Sequence, residues 1–110
     1  MNEALQTKGT ARMDFNAMQQ NATEAVTLLK SLANESRLMI LCVLTEGELS
    51  VGQLNRWIRL SQSALSQHLA VLREQGLVNT RRESQTIYYS LADSPAVNVI
   101  ELLHEVYCKA

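Results

Sequence analysis

The stretch Leu60-Ser-Gln-Ser-Ala-Leu-Ser-Gln-His-Leu-Ala-Val-Leu72 decides how the rest of the chain is read. Leu65, Leu69 and Leu72 recur at helical spacing, so they share one face and turn Gln62, Ser63, Ser66, Gln67, Ala70 and Arg73 to the other. A solvated helix surface is usually laced with Lys and Glu, whereas this one is uncharged over most of its length and rich in hydrogen-bonding groups. Gln makes bidentate contacts to adenine, Ser bonds base edges or phosphates, and Ala sits against a thymine methyl. The outward face therefore has the chemistry of a helix that reads a DNA major groove. Ser61 caps its start, and the free N–H groups around Ser61, Gln62 and Ser63 favour a nearby phosphate. Gly76 closes its end.

Upstream, Ser50 followed by Gln53 is a capping-box pattern, opening a short helix with Val51, Leu54, Trp57 and Ile58 as inner positions. Asn34 caps the helix before it, where Leu38, Met39, Ile40, Leu41, Val43 and Leu44 are apolar on nearly every side. That is the pattern of a central helix; it carries Cys42, and Gly47 ends it. From Asp14, the residues Phe15, Met18, Ala22, Ala25, Val26, Leu28, Leu29 and Leu32 predict one long amphipathic helix. Its apolar stripe is long enough to call for a partner. Residues 1–13 show no period and are expected to form a mobile arm.

Downstream of Gly76 the period changes to two. Leu77 to Arg82 and Thr86 to Leu91 read as strands joined by the turn Glu83-Ser84-Gln85, a β-hairpin. Ser94-Pro95 then starts a last helix with Val97, Ile100, Leu103 and Tyr107 on one face. The expected order is ααααββα. That is a mainly α winged helix-turn-helix with a β-hairpin wing, filling one domain over residues 14–110.

The totals agree with this reading. A chain of 110 residues has room for one core, and 46% hydrophobic with 19% charged residues, a single Pro and four Gly is a helix-rich globular composition. There is neither a membrane-length apolar run nor a secretory leader pattern, so a cytoplasmic location without membrane contact is expected. The net charge is −1, yet five arginines (Arg56, Arg59, Arg73, Arg81, Arg82) against Glu74 make the segment from Arg56 to Arg82 locally +4. From Asp93 onward, Asp93, Glu101 and Glu105 against Lys109 give −2. The arginines supply attraction to a phosphate backbone that does not depend on sequence, with Arg81, Arg82 and Gln85 of the wing reaching a flanking groove. Double-stranded operator DNA is the partner this implies. A nucleophile, base and oxyanion set with assignable roles is missing, so no catalytic residue and no cofactor is expected.

Leu29-Lys-Ser-Leu-Ala-Asn-Glu-Ser-Arg-Leu38, Glu48-Leu-Ser-Val-Gly-Gln-Leu54, the stretch from Leu60 to Leu69, and Leu72-Arg-Glu-Gln-Gly-Leu-Val78 resemble the ArsR/SmtB family of winged-helix regulators, from about Ala25 to Cys108. The resemblance implies a homodimer built from the first and last helices. Many members of the family sense metals. The thiolate site of its arsenic and cadmium sensors uses Cys-Val-Cys at the start of the third helix, where this chain has Ser50-Val51-Gly52, so soft-metal binding has no chemical basis there. The ligand pattern of its zinc sensors in the last helix is also incomplete, because Pro95 stands two residues after Asp93, and Tyr107 rather than a ligand stands three residues after His104. No metal site is expected.

Two cysteines remain, too far apart in sequence for a CxxC motif or a zinc knuckle. Cys42 in Leu41-Cys-Val43 and Cys108 in Val106-Tyr-Cys108 resemble the HlyU/BigR/SqrR-like branch of the family. That branch implies a redox switch, in which reactive sulfur species or oxidants bridge Cys42 and Cys108 through a disulfide or a polysulfide and DNA affinity falls. Both repression and activation by displacing a silencing protein occur in it. Burial would raise the pKa of Cys42, and Cys108 near the chain end would be reached first. Two alternatives stand beside the switch: a metal-responsive repressor, and a winged-helix interaction module that does not bind DNA. His68 has no assigned role.

Overall fold

The computed structural model describes residues 13–108. The expected arm of residues 1–13 therefore lies outside the described residues except for Met13. Where one long first helix was expected, the chain forms α1 (Phe15–Gln20) and α2 (Ala22–Leu32). The break has a local cause. Asn21 leaves helical geometry, and its side-chain amide donates to the Ala17 carbonyl at 2.8 Å, competing with the backbone ladder.

α3 (Glu35–Leu44) starts where the Asn34 side chain accepts from the Arg37 N–H at 3.0 Å. It ends at Leu44, slightly earlier than expected, and Gly47 then adopts a φ of +137° that an L side chain rarely takes. α4 (Val51–Trp57) carries the full capping box: the Gln53 N–H donates to Ser50 Oγ and the Ser50 N–H to Gln53 Oε1. α5 (Gln62–Glu74) is capped by Ser61 and α6 (Pro95–Tyr107) by Ser94, with Pro95 in its first turn. Each side chain satisfies an N–H that the helix start would otherwise leave unpaired.

The wing is larger than a hairpin. Leu49–Ser50 forms a short strand, β1, and joins β2 (Val78–Glu83) and β3 (Thr86–Leu91) in an antiparallel sheet of order β1-β3-β2. Arg81 faces Tyr88 and Glu83 faces Thr86 across the hairpin, so the turn is the pair Ser84-Gln85, with Ser84 at a φ of +57°. Two-residue strands leave no period in the sequence, which is why β1 was not anticipated.

The core gathers where these elements meet. Ile40 and Leu41 of α3, Leu54 of α4, and Leu65, Leu69 and Leu72 of α5 are fully buried, each a side chain whose burial stabilises by about 1.5–3 kcal/mol. α3 packs on α2, α4, α5, α6 and β3, as a helix apolar all round must. Two residues assigned to inner faces lie outside. Trp57 is 68% exposed because the backbone turns extended at Ile58, and Ile58 takes the inner place. Tyr107, in the last turn of α6, is 79% exposed. Among the described residues no helix is long and apolar enough to cross a membrane.

Candidate nucleic-acid interface and thiol cavity

The α4–α5 turn sets the direction of α5. Asn55 spans that turn from the inside, its side-chain amide donating to the carbonyls of Ile58 at 2.9 Å and Leu60 at 3.0 Å. From behind, Arg37 donates to the carbonyls of Ser31 at 2.7 Å and Lys30 at 3.2 Å, and makes a 3.4 Å contact with Nδ1 of His68 on α5. As the guanidinium can only donate, His68 is the acceptor of this contact at Nδ1. His68 is thus a half-buried strut between α3 and α5. Asn55 and Arg37 were missed in the sequence, where a lone polar residue on a short helix carries no pattern.

With α5 held in this way, Ser61, Gln62, Ser63, Ser66, Gln67, Ala70 and Arg73 are all exposed, while Leu65, Leu69 and Leu72 are buried beneath them. The wing presents Arg81, Arg82 and Gln85, also exposed. The two arginines differ in their surroundings, as neighbours on a strand must. Arg81 forks onto Glu48, with contacts of 2.6 and 3.2 Å, and lies 4.6 Å from the Tyr88 ring centre. The hydrogen bond from Arg81 holds the Glu48 carboxyl below its ordinary pKa. Arg82 makes no ion pair among the described residues.

The two thiols come from opposite ends of the sequence. Cys42 sits half-buried in the last turn of α3, and Cys108 caps the C-terminus of α6, exposed. Both line one cavity of about 810 Å³, with Glu46, Glu101, His104 and Glu105 on its walls. Burial pushes the Cys42 thiol above its ordinary pKa, and the neighbouring Cys108 thiolate adds to the rise. Among the described residues no group of three or more His, Cys, Asp or Glu side chains is arranged to hold a metal ion.

A capped α5 with an uncharged outer face, a turn locked by Asn55 and a three-stranded wing define a winged helix-turn-helix DNA-binding regulator. The bacterial regulatory protein family named for arsR matches residues 34–80. Similarity extends well beyond that segment. The chain is 56% identical to the transcriptional activator HlyU of Vibrio cholerae over 91% of its own length and 93% of the relative's. It is 49% identical to the biofilm growth-associated repressor of Agrobacterium fabrum over 84% and 79% of the two chains. The crystal structure of the repressor BigR from Xylella fastidiosa superposes with a TM-score of 0.81 at 42% identity, covering 89% of this chain and all of that one. The chain belongs to the ArsR family and is a transcriptional regulator of the HlyU/BigR type, not an enzyme.

Proposed function

We propose that the protein is a homodimeric regulator that binds operator DNA in its dithiol form and loses affinity when Cys42 and Cys108 are bridged. The observation that carries this reading is the shared cavity. α4, α5, the whole wing and α6 lie between the two thiols in the chain, yet both line the same space. In the DNA complex Gln62, Ser63, Ser66 and Gln67 contact bases or their flanking phosphates, with Ser61 at the helix start. Arg73, Arg82 and Gln85 hold the backbone, and Arg81 positions the wing through Glu48.

Dimerisation is supported by apolar surface. Phe15 and Met18 of α1, Val26 and Leu29 of α2, and Leu102 and Val106 of α6 are all exposed. Large apolar residues recurring on α1, α2 and α6 mark a surface meant to be covered. Two copies then present two α5 helices to successive major grooves, about 34 Å apart.

The chemistry balances with a persulfide as oxidant. The Cys108 thiolate attacks the outer sulfur of RSSH, the S–S bond breaks, and RS⁻ leaves with the electron pair. Cys42, as thiolate, then attacks the Cys108 sulfur and expels HS⁻. Two thiols are oxidised to a disulfide, while RSSH is reduced to RSH and H₂S. Extra sulfur atoms in the oxidant would leave a longer bridge. Joining α6 to α3 re-angles the helix that carries the dimer surface, and with it the spacing of the reading helices. A coupling of about 1.4 kcal/mol already changes affinity tenfold.

The test is fluorescence anisotropy of the chain's own upstream DNA at one fixed salt concentration, with reduced protein and with protein treated with glutathione persulfide. Treatment is expected to weaken binding in the natural sequence and to leave Cys108→Ser unaffected. A Cys108→Ser protein that still responds would overturn the dithiol switch, and an untreated protein that does not bind would overturn the DNA reading.

A further inference from the structure

Glu48 immediately precedes the short strand β1, whose Leu49 and Ser50 pair with Tyr89 and Tyr88 of β3. Arg81 lies on β2 opposite Tyr88, so β3 runs between it and β1. Its side chain therefore reaches across a whole strand. The guanidinium sits 4.6 Å from the centre of the Tyr88 ring and closes on Glu48 beyond it, Nη2 donating to Oε1 at 2.6 Å and Nε to both carboxylate oxygens at 3.2 Å. A second carboxylate, that of Glu83, comes within 3.8 Å of the remaining nitrogen, Nη1.

A guanidinium fork that grips a carboxylate in this way is the one that grips a phosphate, since both ligands offer it a pair of anionic oxygens. Glu48 thus stands where a phosphate would. We propose that Glu48 is a specificity-determining residue, which withholds Arg81 from the DNA backbone and so keeps sequence-independent binding weak. The inference rests on the proposed DNA surface. It goes further in giving an acidic residue outside that surface a part in discrimination. Unrelated DNA is held by phosphate contacts alone, so a cation neutralised from within the protein is lost to that mode of binding. At the operator, base contacts from α5 fix the register, and a released Arg81 would reach only the phosphate which that register brings near. On unrelated DNA the protein shifts until the contact is made.

The test compares Glu48→Gln with the natural sequence by fluorescence anisotropy at several salt concentrations, on the upstream DNA and on a scrambled duplex of the same length and composition. Glu48→Gln is expected to bind the scrambled duplex several-fold more tightly at about 0.1 M salt, and to steepen its salt slope by about 0.9 for each Arg81 that engages. Operator affinity should rise by less, so the ratio between the two duplexes falls. The gain should run through Arg81 rather than through the loss of a repelling charge. In an Arg81→Ala protein, the same Glu48→Gln substitution should therefore leave affinity and slope close to their starting values.

An unchanged slope on the scrambled duplex would overturn the inference, as would an equal gain with and without Arg81, which would make Glu48 an ordinary repelling charge. Equal gains on the two duplexes would overturn it as well, because Glu48 would then set affinity and not discrimination. All three results leave the natural sequence bound to its operator and the DNA reading standing. A natural sequence that binds neither duplex would remove that reading and this inference together.

Discussion

Gln67 and Arg82 are both exposed polar side chains on the proposed DNA surface, yet they are expected to fail in different ways when replaced. Gln67 lies above Leu65 and Leu69 on the uncharged face of α5, so Gln67→Ala should relax the preference among operator variants, at about 1–3 kcal/mol for a bidentate base contact. Arg82 has no ion-pair partner among the described residues, so Arg82→Ala should weaken binding to all duplexes alike and reduce the salt slope by about one. Arg81→Ala should change the slope less, because its guanidinium is already neutralised by Glu48. Titrations at several salt concentrations separate the three; equal slopes for the two wing arginines would refute the assignment. The thiols differ at the same scale. In Cys108→Ser the alkylation rate of Cys42 should climb with pH to a midpoint above the free-cysteine value of about 8.5, because burial is the larger cause of its shift. With Cys108 present the midpoint should lie higher still, since a second thiolate then opposes the first. A mass-spectrometric pH–rate profile reads both.

Element by element, the caps follow directly from residue chemistry, because Asn34, Ser50, Ser61 and Ser94 each bond N–H groups only two or three residues away. The turn between α4 and α5 depends on a longer reach. Asn55 bonds carbonyls three and five residues on, both in the extended segment that reverses the chain. Asn55→Ala leaves two part-buried carbonyls without that donor. Thermal or urea unfolding should show a loss of about 1–3 kcal/mol. Operator affinity should fall by more than affinity for unrelated DNA, since the substitution frees the angle of α5 rather than removing a phosphate contact. A uniform loss across sequences would place Asn55 in general stability alone.

For the whole molecule, the question is what covers the apolar surfaces of α1, α2 and α6. If a second copy covers them, Leu102→Glu with Val106→Glu puts charge where two apolar faces meet. Sedimentation should then give a monomer at concentrations where the natural sequence is a dimer, and operator affinity should drop toward that of a single half-site. The positions lie at the surface of the single chain, so its helical circular dichroism should survive. A doubly substituted protein that still sediments as a dimer would move the interface elsewhere. The proposed thiol switch belongs to this scale too, because in that proposal a bridge between α3 and α6 would reach the DNA only through the relative placement of the two α5 helices of a dimer.

The sequence by itself determined the order of the helices from α3 onward, the exposed uncharged face of α5, the caps and the basic hairpin, because these rest on periods and on contacts within a few residues. It also carried the family, through motifs in matching order and spacing. The tertiary structure alone decided the rest. It broke the first helix at Asn21, turned Trp57 outward, added β1 to the wing and tied Arg81 to Glu48, thirty-three residues away. It also placed Cys42, Cys108 and three glutamates around one space. Contacts at that separation leave no local period, since they exist only after the core has packed and brought the ends of α3 and α6 together.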